Sequence, residues 1–80
     1  MDPFIGQITL LAFNFAPVGW APCQGQSMSI MENQALFALV GTNFGGDGTT
    51  TFALPDLRGK EPVPSTQYCI ALEGIFPSRD

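Results

Sequence analysis

The chain has 80 residues, with three basic and seven acidic side chains, no histidine, two cysteines, nine glycines and seven prolines. That length accommodates one small domain, and Arg58, Lys60 and Arg79 are too few to build the cationic surface that nucleic-acid phosphates require. Without histidine the commonest general base and zinc ligand is missing, which excludes a Ser-His-Asp triad and any histidine-containing metal site.

A domain of this size buries only about 60% of the surface its unfolded chain exposes. A loop-rich monomer is therefore marginal, and a partner subunit, a shared core or a disulfide is expected to support it. The charged share, 12%, is low for a soluble domain, so Gly, Pro, Thr, Ser, Asn and Gln supply much of the surface, and such a surface tends to associate. The start Met1-Asp2-Pro3-Phe4 has no basic n-region and the longest apolar run is far below ~20 residues, so neither a Sec signal peptide nor a membrane span is expected.

In chain order, Ile8, Leu10 and Ala12 alternate with Gln7, Thr9 and Leu11, which predicts a strand over residues 6–13. Residues 14–22 contain two prolines and a glycine and read as a loop presenting aromatic side chains, followed by a short extended piece or turn over 23–26. Ser29 and Glu32 form a Ser-x-x-Glu capping box, so a helix is predicted over 30–40. Leu36, Leu39 and Val40 fall at helical spacing with Ile30, Ala35 and Phe37 beside them, giving a wide apolar face and a well-buried helix that stops at Gly41. A glycine-dense loop over 42–48 leads to a Thr-rich β segment over 49–54, closed by Pro55-Asp56. Residues 61–65 are a rigid connector, and residues 68–72 form a second clear strand.

The two clear strands lie at opposite ends of the chain without a hairpin partner beside either, so they are expected to pair and to bring Cys23 and Cys69 onto one region of sheet. The fold class is α+β: one well-buried helix, about 30–40, against a small, mainly antiparallel sheet that includes the N- and C-terminal strands, with long Gly/Pro-rich loops.

Tests for chemistry are mostly negative. Gly45-Gly46-Asp47-Gly48 lacks the Gly-Lys-Ser/Thr and the helix start of a phosphate loop, and its glycines most simply supply positive φ. Asp47 and Asp56 lack the calcium-loop pattern and read as turn aspartates; nothing places two of Asp47, Asp56 and Glu61 in one cleft for acid–base work. No catalytic, metal-binding or cofactor-binding residue is assigned, and no cofactor is expected. Cys23 and Cys69 allow two readings: a disulfide worth about 3–4 kcal/mol by closing a long loop, or two buried thiols, which a reducing compartment of synthesis favours. Trp20 is either a core anchor under its loop or a sugar-stacking platform. Phe4, Phe13, Phe15, Trp20, Phe44, Phe52 and Phe76 exceed what one helix can cover, so several should face neighbouring subunits. The candidate assembly or ligand surface is Phe4, Phe15, Trp20, Asn43, Phe44 and Phe76.

Longer stretches carry a resemblance. Gly6-Gln7-Ile8, then Asn14-Phe15-Ala16-Pro17-Val18-Gly19-Trp20-Ala21-Pro22-Cys23-Gln24-Gly25-Gln26, then Asn33-Gln34-Ala35-Leu36-Phe37-Ala38-Leu39-Val40-Gly41-Thr42-Asn43-Phe44-Gly45-Gly46-Asp47-Gly48, and Thr51-Phe52-Ala53-Leu54-Pro55-Asp56-Leu57-Arg58-Gly59 resemble the phage tail collar domain family over residues 6–62. The end, Tyr68-Cys69-Ile70-Ala71-Leu72-Glu73-Gly74-Ile75-Phe76-Pro77-Ser78-Arg79, resembles the C-terminus of its microcystin-dependent-protein branch. Members usually carry a long Gly-, Asn- and His-containing segment between a Leu-Arg-Gly-Arg motif and the Tyr-Cys-Ile-Ala-Leu strand, whereas here Lys60 leads almost at once to Tyr68. The chain thus resembles a short form without that insert, and the fibre-head functions that the insert carries in short tail fibres do not transfer to it.

The resemblance implies an N-terminal arm over 1–5, a collar-like domain over 6–62, and a C-terminal strand and tail over 63–80 that complete the same domain. It implies a non-enzymatic structural protein, a self-associating collar-type subunit of a phage tail, a tail-like particle or a bacterial surface fibre. Such a protein is made in the cytoplasm and placed on a virion tail or extracellular fibre, as a homo-oligomer (trimer or polymer) beside other tail or fibre proteins. The alternative is a host-surface or glycan-binding module on such a fibre, using the loops 14–20 and 43–48 for host attachment.

Overall fold

The computed structural model describes residues 2–79; Met1 and Asp80, the outermost residues of the expected arm and tail, lie outside the described residues. The elements in order are β1 (Ile8–Leu11), β2 (Trp20–Pro22), β3 (Ser27–Ser29), α1 (Gln34–Val40), β4 (Thr51–Ala53) and β5 (Gln67–Ala71). They form two antiparallel sheets, one in the order β1-β5-β2 and the other a β3-β4 pair. The fold is a small α+β domain, and the two ends of the chain do pair: Ile8 stands opposite Ile70 and Leu11 opposite Gln67.

β5 is the central strand because its residues suit burial on both faces. Cys69, Ile70 and Ala71 are all buried, as a strand covered on two sides requires. Its second edge pairs with β2, Trp20 opposite Ala71 and Pro22 opposite Cys69. This corrects the reading of residues 14–22 as loop throughout. A proline is tolerated here for a geometric reason. The Leu72 N–H donates to the Gly19 carbonyl at 2.8 Å and the Cys23 N–H to the Tyr68 carbonyl at 3.0 Å. Alternation then makes Ala21 the bonded partner of Ile70 and turns the Pro22 nitrogen, which has no hydrogen, away from β5.

The helix differs from expectation at its start and in its burial. Ser29 belongs to β3, and the Ile30 N–H donates to the Thr50 carbonyl at 3.1 Å, so the sheet claims the residues that would have opened the helix. The Ser29 hydroxyl does accept the Glu32 N–H, at 3.3 Å, but this bond closes a turn rather than capping a helix. The N-cap is Asn33, whose amide reaches back to the Ser29 carbonyl at 3.0 Å and makes no cap bond. The helix therefore runs over Gln34–Val40 rather than 30–40. It is also not well buried: Leu36 is fully enclosed, Phe37, Leu39 and Val40 are half-buried, and Ala35 and Ala38 are exposed. Gly41 ends it at positive φ, its N–H donating to the Phe37 carbonyl at 2.8 Å.

Leu36 is the point at which the parts meet. Ala21 and Ile70 from the three-stranded sheet, Cys23 just past β2, Phe52 from β4 and Leu54 just beyond it share its core cluster, and the Phe37 ring packs on Phe52 with centroids 5.4 Å apart. The loop after α1 returns to this core at Gly46, where φ is +97° and a Cβ would overlap the Phe52 Cα, so only glycine fits. The N-terminal arm is tied down as well. Ile5 donates to the Ile75 carbonyl and Ile75 to the Pro3 carbonyl, both at 2.9 Å, in a parallel bridge. Truncating the shared core residue, Leu36→Ala, is expected to cost about 3 kcal/mol, read as a fall in the urea unfolding midpoint with an unchanged slope.

Candidate functional site

The residues singled out as an assembly or ligand surface are on the outside of the fold but do not form one patch. Phe4, Phe15, Phe44 and Phe76 are each at least half exposed, Asn43 is exposed, and Trp20 is half-buried within β2. Phe4 sits at the bridge to Ile75, close to a hollow of about 390 Å³ whose wall includes Pro3, Val18, Trp20, Glu73 and Ile75. Phe15 packs against Phe13, ring centroids 4.7 Å apart, beyond the end of β1. Phe76 borders a separate hollow with Ala38, Leu39 and Pro77. Asn43 and Phe44 occupy the turn after α1, where the Asn43 N–H donates to the Val40 carbonyl at 3.3 Å. The exposed apolar surface also includes Val18 and Met31, at 99% and 81% the barest large hydrophobes, and neither stood out in the sequence. Both lie in turns, where no period marks a face.

The carboxylates are absorbed by local structure. Asp47 accepts the N–H groups of Thr49, Thr50 and Thr51 at 2.8, 2.8 and 2.9 Å and the Thr50 hydroxyl at 2.8 Å. Its turn folds this way because a short acceptor two to four residues ahead of free N–H groups satisfies them before β4 begins. Those backbone bonds hold its carboxyl well below the usual range. Asp56 receives the Arg58 guanidinium through Nε at 2.9 Å and Nη2 at 2.8 Å, with the Arg58 N–H at 3.2 Å, and is drawn down to about 2 by these bonds. Both partners are well exposed, so the pair adds little to stability. Glu61 accepts the Gly59 N–H at 3.0 Å. Each acid thus stiffens its own turn, and among the described residues no cluster of three or more Cys, Asp or Glu side chains is placed to hold a metal ion.

The cysteines lie in the same region of sheet but on opposite faces. Pro22 is the cross-strand partner of Cys69, so its neighbour Cys23 points the other way. Cys23 packs into the core around Leu36 and Cys69 is buried on the reverse side. Both are free thiols. Burial, and then the nearby Cys69, push the Cys23 thiol up to about 11; burial also raises Cys69. Thiols held protonated in this way are poor nucleophiles.

Residues 6–62 match the phage tail collar domain family. No curated protein matches the chain.

Two outcomes follow from the polar geometry. Because Asp47 and Asp56 are depressed in the folded state, the stability they contribute is complete above the ordinary carboxylate pKa near 4 and is lost as pH falls through their folded values. The melting temperature should therefore decline between about pH 4 and pH 2, and Asp47→Asn should flatten part of that decline, as differential scanning fluorimetry across pH would record. At pH 8, a disulfide reagent such as DTNB should leave both thiols of the native protein unmodified and titrate two in 6 M guanidinium; rapid labelling of the native protein, or fewer than two in denaturant, contradicts the placement described.

Proposed function

Given that the chain belongs to the phage tail collar domain family, a structural family of phage tails, we propose that it is a self-associating collar-type subunit of a phage tail, a tail-like particle or a bacterial surface fibre. The observation that carries the self-association is the amount of apolar surface left outside. Among the described residues ten large hydrophobes are exposed, against eight apolar residues in the buried core. The accessible surface is 5272 Å², whereas a compact monomer of this 8.6 kDa mass presents about 4,700 Å². The radius of gyration, 12.5 Å, likewise exceeds the roughly 11.6 Å of a compact chain of this length. A surface of that kind is stabilised by burial against further copies.

The same reading includes residues 63–80 in the collar unit, since they supply β5, which lies between β1 and β2. It also takes the chain as a short form close to the microcystin-dependent-protein branch, with eleven residues between Leu57 and Cys69 in place of a long insert. The exposed Phe13–Phe15 pair favours a second role on such a fibre, a host-surface or glycan contact made by the loop 14–20.

Sedimentation velocity and light scattering on the purified chain test the proposal. The expected result is a particle of two or more subunits at micromolar concentration, with rings or fibres visible by electron microscopy if assembly continues. A sharp 8.6 kDa species at millimolar concentration overturns it.

A further inference from the structure

The sheet β1-β5-β2 has two edges, and they are not alike. On β2 the backbone groups facing outward are those of Trp20 and Pro22. The Trp20 N–H is already used, donating to the Pro17 carbonyl at 3.0 Å, Pro22 has no N–H, and the Pro22 carbonyl accepts the Gln26 side-chain amide at 2.8 Å. The second sheet is covered in a similar manner along β4, where the Ala53 N–H donates to the Gly45 carbonyl and the Gly48 N–H to the Thr51 carbonyl, both at 3.0 Å. Such devices stop an edge from recruiting another strand.

β1 has none of them. The Ala71 N–H donates to the Gln7 carbonyl at 2.9 Å, which sets the phase of the ladder. Thr9 and Leu11 then bond β5, and the N–H and C=O groups of Ile8 and Leu10 point away from it. Among the described residues nothing hydrogen-bonds these four groups. The strand holds no proline, no glycine and no charge, and no charged residue occurs between Asp2 and Glu32. The flanking Ile8, Phe13 and Phe15 are exposed. Two copies of a chain with net charge −4 repel, and an uncharged, unprotected edge lets them meet without like charges in contact.

We propose that the occupant of this edge is a second copy of the chain, pairing β1 to β1 in antiparallel register about a two-fold axis at Thr9; this rests on the self-association proposed above and names its interface. With the axis there, Ile8 stands opposite Leu10 of the second copy and Leu10 opposite its Ile8. Both are hydrogen-bonded pairs, so all four outward groups of each strand find partners. The result is one six-stranded sheet in the order β2-β5-β1-β1-β5-β2, whose outer edges are the protected β2 strands. Such an isologous contact closes on itself and gives two-fold units.

Thr9 faces its own copy across the axis in a non-hydrogen-bonded pair, where Cα atoms lie about 4.5 Å apart, within the span of a disulfide. In the Thr9→Cys chain, copper-phenanthroline oxidation under native conditions should therefore produce a covalent dimer on a non-reducing gel. Leu11→Cys should not, because residue 11 is opposite residue 7. Thr9→Lys places like charges face to face and should raise the dissociation constant at least tenfold, with an unchanged circular dichroism spectrum showing that the subunit still folds. If wild type is monomeric throughout, self-association itself fails. If wild type assembles but Thr9→Cys does not crosslink, or crosslinks no better than Leu11→Cys, self-association stands and the β1 interface is wrong.

Discussion

The structure depends on one strand being bonded on both sides. β5 receives β1 along one edge and β2 along the other, and the core residues Ala21, Cys23 and Leu36 close over it only when both ladders are in place. Neither β1 nor β2 has another strand to pair with. The three-stranded sheet therefore forms when residues 67–71 come back to segments about 45 to 60 positions earlier in the chain. That is costly in loop entropy, and tight local turns reduce the number of conformations the intervening chain must lose. The Asp47 turn, the Asp56–Arg58 pair and the Pro55 and Pro62 kinks all lie in the stretch that makes this return.

This arrangement also explains how a small core coexists with a large apolar exterior. The largest side chains fully removed from water among the described residues are Phe52, Leu36, Leu54, Ile70 and Cys69. The polar groups of the loops are satisfied locally, by aspartates bonding their own backbone, and no buried side-chain nitrogen or oxygen among the described residues lacks a partner. Buried side-chain hydrogen bonding is thus satisfied within one subunit, whereas apolar burial and the backbone edge of β1 are not. A subunit of that kind gains most from association through hydrophobic contact and strand addition, which suits a structural family of phage tails.

Much of the architecture was legible in periodicity. The alternation of Ile8 and Leu10, and the Tyr68-Cys69-Ile70 run, marked the strands that do pair, because a half-buried strand alternates and a strand covered on both faces reads as a continuous apolar run. The match over residues 6–62 was likewise carried by residue order alone. β2 and β3 were not legible. Each is three residues long, and a proline inside β2 signals a break unless one knows that its missing N–H faces outward. The Ser29–Glu32 pattern misled for a related reason. The same hydroxyl-to-amide bond closes an ordinary turn, and whether a helix follows at once depends on whether a sheet has already taken Ser29 and Ile30. The dispersal of Phe4, Phe15, Trp20, Asn43, Phe44 and Phe76 over separate hollows and turns follows from loop paths that no local pattern specifies.

By itself, then, the sequence determined the class of the domain, its single helix, the pairing of its two ends and its family, since these rest on composition, period and residue order. Only the tertiary structure decided that the helix would be cut to two turns, that Cys23 and Cys69 would face away from each other across the sheet, and that β1 would keep an open edge while β2 and β4 would not. Those outcomes turn on which backbone groups are already bonded when two distant segments meet, and hydrogen-bond competition between segments is invisible until both are in place.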